Sequence, residues 1–89
     1  MKYSAFYSET CKRLREKYKE ELENDSLDYD FLLDSVDAGI FLLLGDEYDF
    51  TREELNDYEY IASKMLEHDY SDEDYKYVEN EVIKSLEEY

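Results

Sequence analysis

Apolar positions recur along this chain with the period of an α-helix almost from end to end, and no stretch alternates as a strand would. In about Tyr3 to Glu23, the residues Tyr7, Cys11, Leu14, Tyr18 and Leu22 follow at steps of 4, 3, 4 and 4, a narrow unbroken stripe. Asn24, Asp25 and Ser26 interrupt it, and Asp25 or Ser26 is placed to cap the next helix. That second segment, about Leu27 to Leu44, carries Leu33, Val36, Ile40, Leu43 and Leu44 on one side and Asp30, Asp34 and Asp37 on another. From Ile40 onward it is apolar all round, which predicts a centrally buried element. Gly39 would admit a closely packed neighbour, and Gly45 reads as the stop.

Two further segments open with one grammar, Phe50-Thr51-Arg52-Glu53-Glu54-Leu55 and Tyr70-Ser71-Asp72-Glu73-Asp74-Tyr75. Thr51 and Ser71 are the expected N-caps. Glu54 and Asp74 reach back as capping boxes, and Phe50/Leu55 and Tyr70/Tyr75 are the expected hydrophobic staples. Behind them run the stripes Leu55, Tyr58, Ala62, Met65 and Tyr75, Val78, Val82, Leu86, Tyr89. Aligning Thr51 with Ser71 gives five identities over the next 18 positions, which we read as shared helix design. Short connections favour antiparallel neighbours. The expected fold is therefore all-α: residues 1–89 form a single domain, a compact bundle of about four antiparallel amphipathic helices.

Composition bounds the function. With 89 residues the chain can hide roughly 60 to 68% of its unfolded surface, enough for a modest core and too little for an elaborate enzyme cleft. There are 26 Asp plus Glu against 10 Lys plus Arg, a net charge of -16 that repels duplex DNA and anionic membranes. Such charge also favours disorder, but 43% apolar residues, 17% aromatics and no proline argue for a folded chain. The single Cys11 excludes an internal disulfide and a cysteine-based zinc cluster, and it fits a reducing compartment. The longest apolar run, Ile40 to Leu44, is far below a span of ~20 residues, and no leader-like stretch opens the chain. We expect a cytoplasmic protein, acting within a bacterial host cell.

The charge is two-ended. Residues 1–19 hold Lys2, Lys12, Arg13, Arg15, Lys17 and Lys19 for a net +4, and residues 20–89 carry -20. A first helix with bases early and Glu20, Glu21 and Glu23 in its last turn opposes its own macrodipole. Loose pairing of this helix with acidic neighbours accounts for its bases, and the alternative is a basic binding strip. At about 100° per residue, Glu53, Asp57, Tyr60 and Glu67 fall opposite the third stripe, with Lys64 among them. On the fourth helix Asp74, Glu81 and Glu88 recur every seven residues beside Tyr77 and near Glu73. Asp46, Glu47, Asp49 and Asp72 complete the expected partner-binding set, because tyrosine among carboxylates is favourable interface chemistry.

Catalysis finds no support in the residue pattern. Cys11 has no motif linking it to the only histidine, His68, and no carboxylate pair is set apart by its surroundings. Asp46, Glu47 and Asp49 lack the glycine and glutamate spacing of a calcium loop, so neither a metal nor a cofactor is expected.

In size, helical pattern, acidic surplus and runs such as Asp46-Glu47-Tyr48-Asp49 and Glu87-Glu88-Tyr89, the chain resembles the small acidic phage proteins that imitate DNA, namely Ocr-type antirestriction proteins and acidic anti-CRISPR proteins. The basic first helix departs from their uniformly negative surface. The resemblance implies a non-enzymatic inhibitor whose carboxylates occupy the nucleic-acid site of a basic host defence protein, a restriction enzyme or CRISPR effector. Sixteen net charges correspond to roughly 27 Å of duplex, close to the length of a ~20-residue helix. The alternative is a small acidic helical adaptor or oligomer whose seam is Ile40 to Leu44.

Overall fold

The structure, a computed structural model, describes residues 1–88, so Tyr89, expected at the end of the last stripe, lies outside the described residues. The fold is all-helical, with α1 (Tyr3–Lys17), α2 (Lys19–Glu23), α3 (Tyr29–Tyr48), α4 (Arg52–Leu55), α5 (Tyr58–Glu67) and α6 (Asp72–Glu88). It measures 42 × 26 × 19 Å. Among the described residues no helix is long and apolar enough to cross a membrane.

The expected first helix is two. Tyr18 leaves helical geometry at φ -108 and ψ 26, ending α1 and starting α2. This break reverses the expected dipole conflict: Arg15 and Lys17 now sit in the last turn of α1, and Glu20 and Glu21 sit in the first turn of α2. Each of these four charges meets the helix end of opposite sign, whereas Lys19 and Glu23 of α2 do not. The stripe itself packs as read, widened by Phe6 and by Thr10.

The cap of α3 is Asp28, whose carboxylate accepts the Asp30 N–H at 3.0 Å, and neither Asp25 nor Ser26 takes that place. Asp25 instead makes the turn with φ 61, and the Ser26 N–H donates to Asn24. At the other end Gly45 does not stop the helix. The helix continues to Tyr48, and Asp49, left-handed at φ 49, ends it by donating its N–H to the Gly45 carbonyl. Nor is the second half buried all round. Ile40, Leu43 and Leu44 enter the core, while Phe41 and Leu42 remain exposed.

Thr51 and Glu54 form the expected capping box, with bonds of 3.2 and 2.9 Å. The helix they start is only one turn long; Asn56 and Asp57 break it, and Asp57 caps α5 by accepting the Tyr60 N–H. That restart resets the rotational phase. Leu55, Tyr58 and Ala62, expected inside, are exposed, and Ile61 is the buried residue of α5. The Phe50/Leu55 staple does not form, because Phe50 packs on Tyr48 and Tyr60 while Leu55 faces out. Ser71 and Asp74 box the start of α6 as expected, with bonds of 3.3 and 3.0 Å. Tyr70 stacks on Phe6 at 4.4 Å, and Tyr75 lies beneath the Arg13 guanidinium.

The core is made by α1, α3 and α6, from Phe6, Leu14, Leu32, Val36, Ile40, Leu44, Val78 and Val82. Gly39 sets the α3–α6 approach: a Cβ there would lie 3.1 Å from Val78 Cγ1 and 3.5 Å from Glu81 Cβ. Since Asp46, further along α3, meets Tyr77, earlier on α6, these two helices are antiparallel. By contrast, α1 and α6 run the same way, as the advancing pairs Phe6–Tyr70, Arg13–Tyr75 and Lys17–Glu79 show. The cause is length. A ten-residue α5 rises only ~15 Å, so α4–α5 returns the chain to the end of the molecule where α3 finished.

Packing at the two glycines gives opposite expectations. Gly39→Leu should lose about 1–3 kcal/mol of stability through overpacking against Val78. Gly45→Ala meets nothing within 4 Å and should gain up to about 1 kcal/mol, both read from urea midpoints. Thr10 Oγ1 is buried with no hydrogen-bond partner among the described residues, so isosteric Thr10→Val should be neutral or stabilising by about 1 kcal/mol in the same assay. A clear loss of stability in Thr10→Val would show that the hydroxyl is satisfied in solution.

Candidate functional site

The α3–α6 seam brings together residues far apart in the chain. With Gly39 allowing close approach, the Tyr77 hydroxyl reaches across to donate to Asp46 Oδ2, and Glu81 sits one turn further along α6 with Lys84 Nζ 3.4 Å away. Asp46, Tyr77 and Glu81 therefore form one cluster on the surface. The hydrogen bond to Asp46 first, then burial, pushes Tyr77 up to about 12.

Asp74, expected to stand outward in line with Glu81 and Glu88, turns in. Its Oδ2 lies 3.1 Å from His68 Nε2 and accepts the Ser71 N–H at 3.0 Å, leaving the side chain 16% exposed. A carboxylate can only accept, so Nε2 carries the proton; in the neutral ring Nδ1 then accepts from the Tyr48 hydroxyl, 2.9 Å away. Tyr70 closes this group edge-on at 4.6 Å. His68 thus joins α3, α5 and α6. Only Ser71-Asp74 was a local signal of it, as Tyr48 is twenty residues away in sequence.

Tyr60 and Lys64 also depart from the expected outward face. Tyr60 is half-buried edge-on to Phe50, and Lys64 lies 5.4 Å from its ring, 5.7 Å from that of Tyr48 and 3.8 Å from Glu67. The face rotated inward because α5 starts afresh at Asp57, whose carboxylate is occupied as a cap. Asp72 leans the other way and pairs with Arg13 at 3.7 Å. Glu47, Asp49, Glu53, Glu73 and Glu88 are exposed, spread over α3, α4, α6 and the turn at Asp49. The expected unbroken heptad stripe on α6 is thus interrupted at its first member.

Helix 1 divides its cations. Arg13 and Lys17 turn to α6, the latter 3.3 Å from Glu79, while Lys12, Arg15 and Lys19 line an open hollow of about 600 Å³ with Glu16, Leu22 and Glu23. Cys11 is buried, and burial pushes its thiol up. Among the described residues no cluster of three or more His, Cys, Asp or Glu is placed to hold a metal ion.

The Asp46–Tyr77 link has a measurable signature. Its neutral phenol is favoured in the fold, so the stability it contributes is complete below the ordinary value of 10 and is lost as pH rises toward about 12. Asp46→Ala should move the Tyr77 titration down toward 10 by absorbance, with Tyr77→Phe identifying the transition; an unmoved titration would mean that the bond is not made. Comparison with protein-family models, curated proteins and solved structures gives no match.

Proposed function

We propose that the chain is a non-enzymatic inhibitor that presents carboxylates where a basic nucleic-acid-binding protein expects phosphates, and so occupies that protein's DNA site. The observation that carries this reading is the placement of the acids. None of the 26 is buried, and all but Glu9, Glu54, Asp74, Glu79 and Glu81 are exposed. They decorate an elongated body 42 Å long, a length over which duplex DNA carries about 25 charges. The four chain segments, α1–α2, α3, α4–α5 and α6, act in this reading as one bundle supporting that surface. A restriction enzyme or CRISPR effector of the host cytoplasm is the partner class whose cationic groove fits it.

Affinity in such a complex comes from two sources. The summed field raises the encounter rate and is screened by salt. Desolvated tyrosine and carboxylate pairs such as Tyr77–Asp46 act at short range. The alternative, an adaptor or oligomer joined through Ile40 to Leu44, keeps only Phe41 and Leu42 as available contact groups, since the other three side chains are in the core.

Glu47, Glu53, Glu73 and Glu88 are exposed, so their reversal tests charge without touching caps or core. The quadruple Lys variant should keep its helical circular dichroism and lose at least about tenfold in affinity for a basic DNA-cleaving enzyme. The parent should bind far more weakly at physiological than at low ionic strength, and duplex DNA should displace it. Salt-independent binding, or undiminished binding by the variant, would overturn the reading.

A further inference from the structure

The molecule carries a second surface feature of opposite character. Phe41, Leu55, Tyr58, Ile61 and Met65 line a cleft of about 290 Å³ between α3, α4 and α5. Ile61 is its buried floor, while Phe41 at 43%, Leu55 at 48% and Tyr58 at 90% exposure form its walls. Leaving a tyrosine this bare beside an aliphatic pit is the arrangement of an interface anchor point.

The occupant is defined by the rim. Leu55 follows Glu53 and Glu54, Tyr58 stands between Asp57 and Glu59, and Leu66, 61% exposed, precedes Glu67. A second copy is a poor occupant, because its outward Lys12, Arg15 and Lys19 share their hollow with Glu16 and Glu23 and each body carries a net -16. An anionic membrane is repelled in the same way. We propose that the cleft seats a bulky apolar side chain projecting from a lysine- and arginine-rich helix of the partner. The cations of that helix pair with Glu53 and Glu59, the exposed acids beside Leu55 and Tyr58, while the anchor fills the pit. This rests on the reading of the partner as basic and adds to it a contact that salt does not screen.

Two synthetic helical peptides test it, both rich in lysine and arginine, one with leucines along its apolar face and one with alanines there. Titrated against the full chain and followed by amide NMR, the leucine peptide should bind at least tenfold tighter and shift Ile61 and Met65. That preference should persist when salt is raised. The double variant Leu55→Ser, Tyr58→Ser alters exposed side chains only, so it should stay helical and bind both peptides alike. Equal binding of the two peptides by the parent, lost with salt, would overturn the anchor and leave the charge-based reading standing. No binding of either peptide at low salt would remove both. A dimer in sedimentation that the double variant dissociates would assign the cleft to a second copy and overturn the proposal as well.

Discussion

Close contact between α3 and α6 at Gly39 is the constraint on which the arrangement depends. With no side chain there, Val78 and Glu81 come within reach of the α3 backbone, and Val78 and Val82 join Val36, Ile40 and Leu44 in one core. The cost of glycine in a helix interior is about 1 kcal/mol, far less than the burial it permits. The same approach carries Tyr77 over to Asp46. A bulkier residue would separate the helices and, with them, the surface cluster of Asp46, Tyr77 and Glu81.

The sequence was legible where the signal is local. Thr51 with Glu54 and Ser71 with Asp74 announce helix starts through bonds that close within three residues, and they are found as read. Periodic stripes on α1, α3 and α6 likewise mark the core, because each is long enough for its phase to be fixed by burial. The third segment was not legible in this way. Its stripe assumed one continuous helix, and the break at Asn56 and Asp57 rotated α5 so that Ile61, not Tyr58 or Ala62, faces in. Asp57 serves as a cap there and a solvent-facing acid in the continuous reading; composition does not distinguish the two.

Asp74 illustrates the same limit for the candidate site. Seven-residue spacing predicts it on the line of Glu81 and Glu88, but spacing says nothing about a histidine arriving from a neighbouring turn. His68, held in turn by the Tyr48 hydroxyl, reaches Asp74, and the carboxylate is taken up by the His68 ring and the Ser71 N–H. Similarly, the charges of the first segment look more unfavourable in one continuous helix than in the two that form. The break at Tyr18 puts Arg15 and Lys17 at the end of one helix and Glu20 and Glu21 at the start of the next, leaving only Lys19 and Glu23 at unmatched ends of α2.

Division of the α1 cations gives the molecule its electrical orientation. Arg13 and Lys17 face α6 and reduce repulsion where its acids crowd the bundle. Lys12 and Arg15 of α1 and Lys19 of α2 instead line an open hollow, with Glu16 and Glu23 among them. A body with this distribution experiences a torque as well as an attraction near a cationic groove, because its basic edge is pushed away while its acidic side is drawn in. In the proposed complex the field would thus choose which face arrives first, and the apolar cleft, with Glu53 and Glu59 beside it in sequence, would be carried in with that face. Long-range charge then sets orientation, and short-range packing sets how long the encounter lasts.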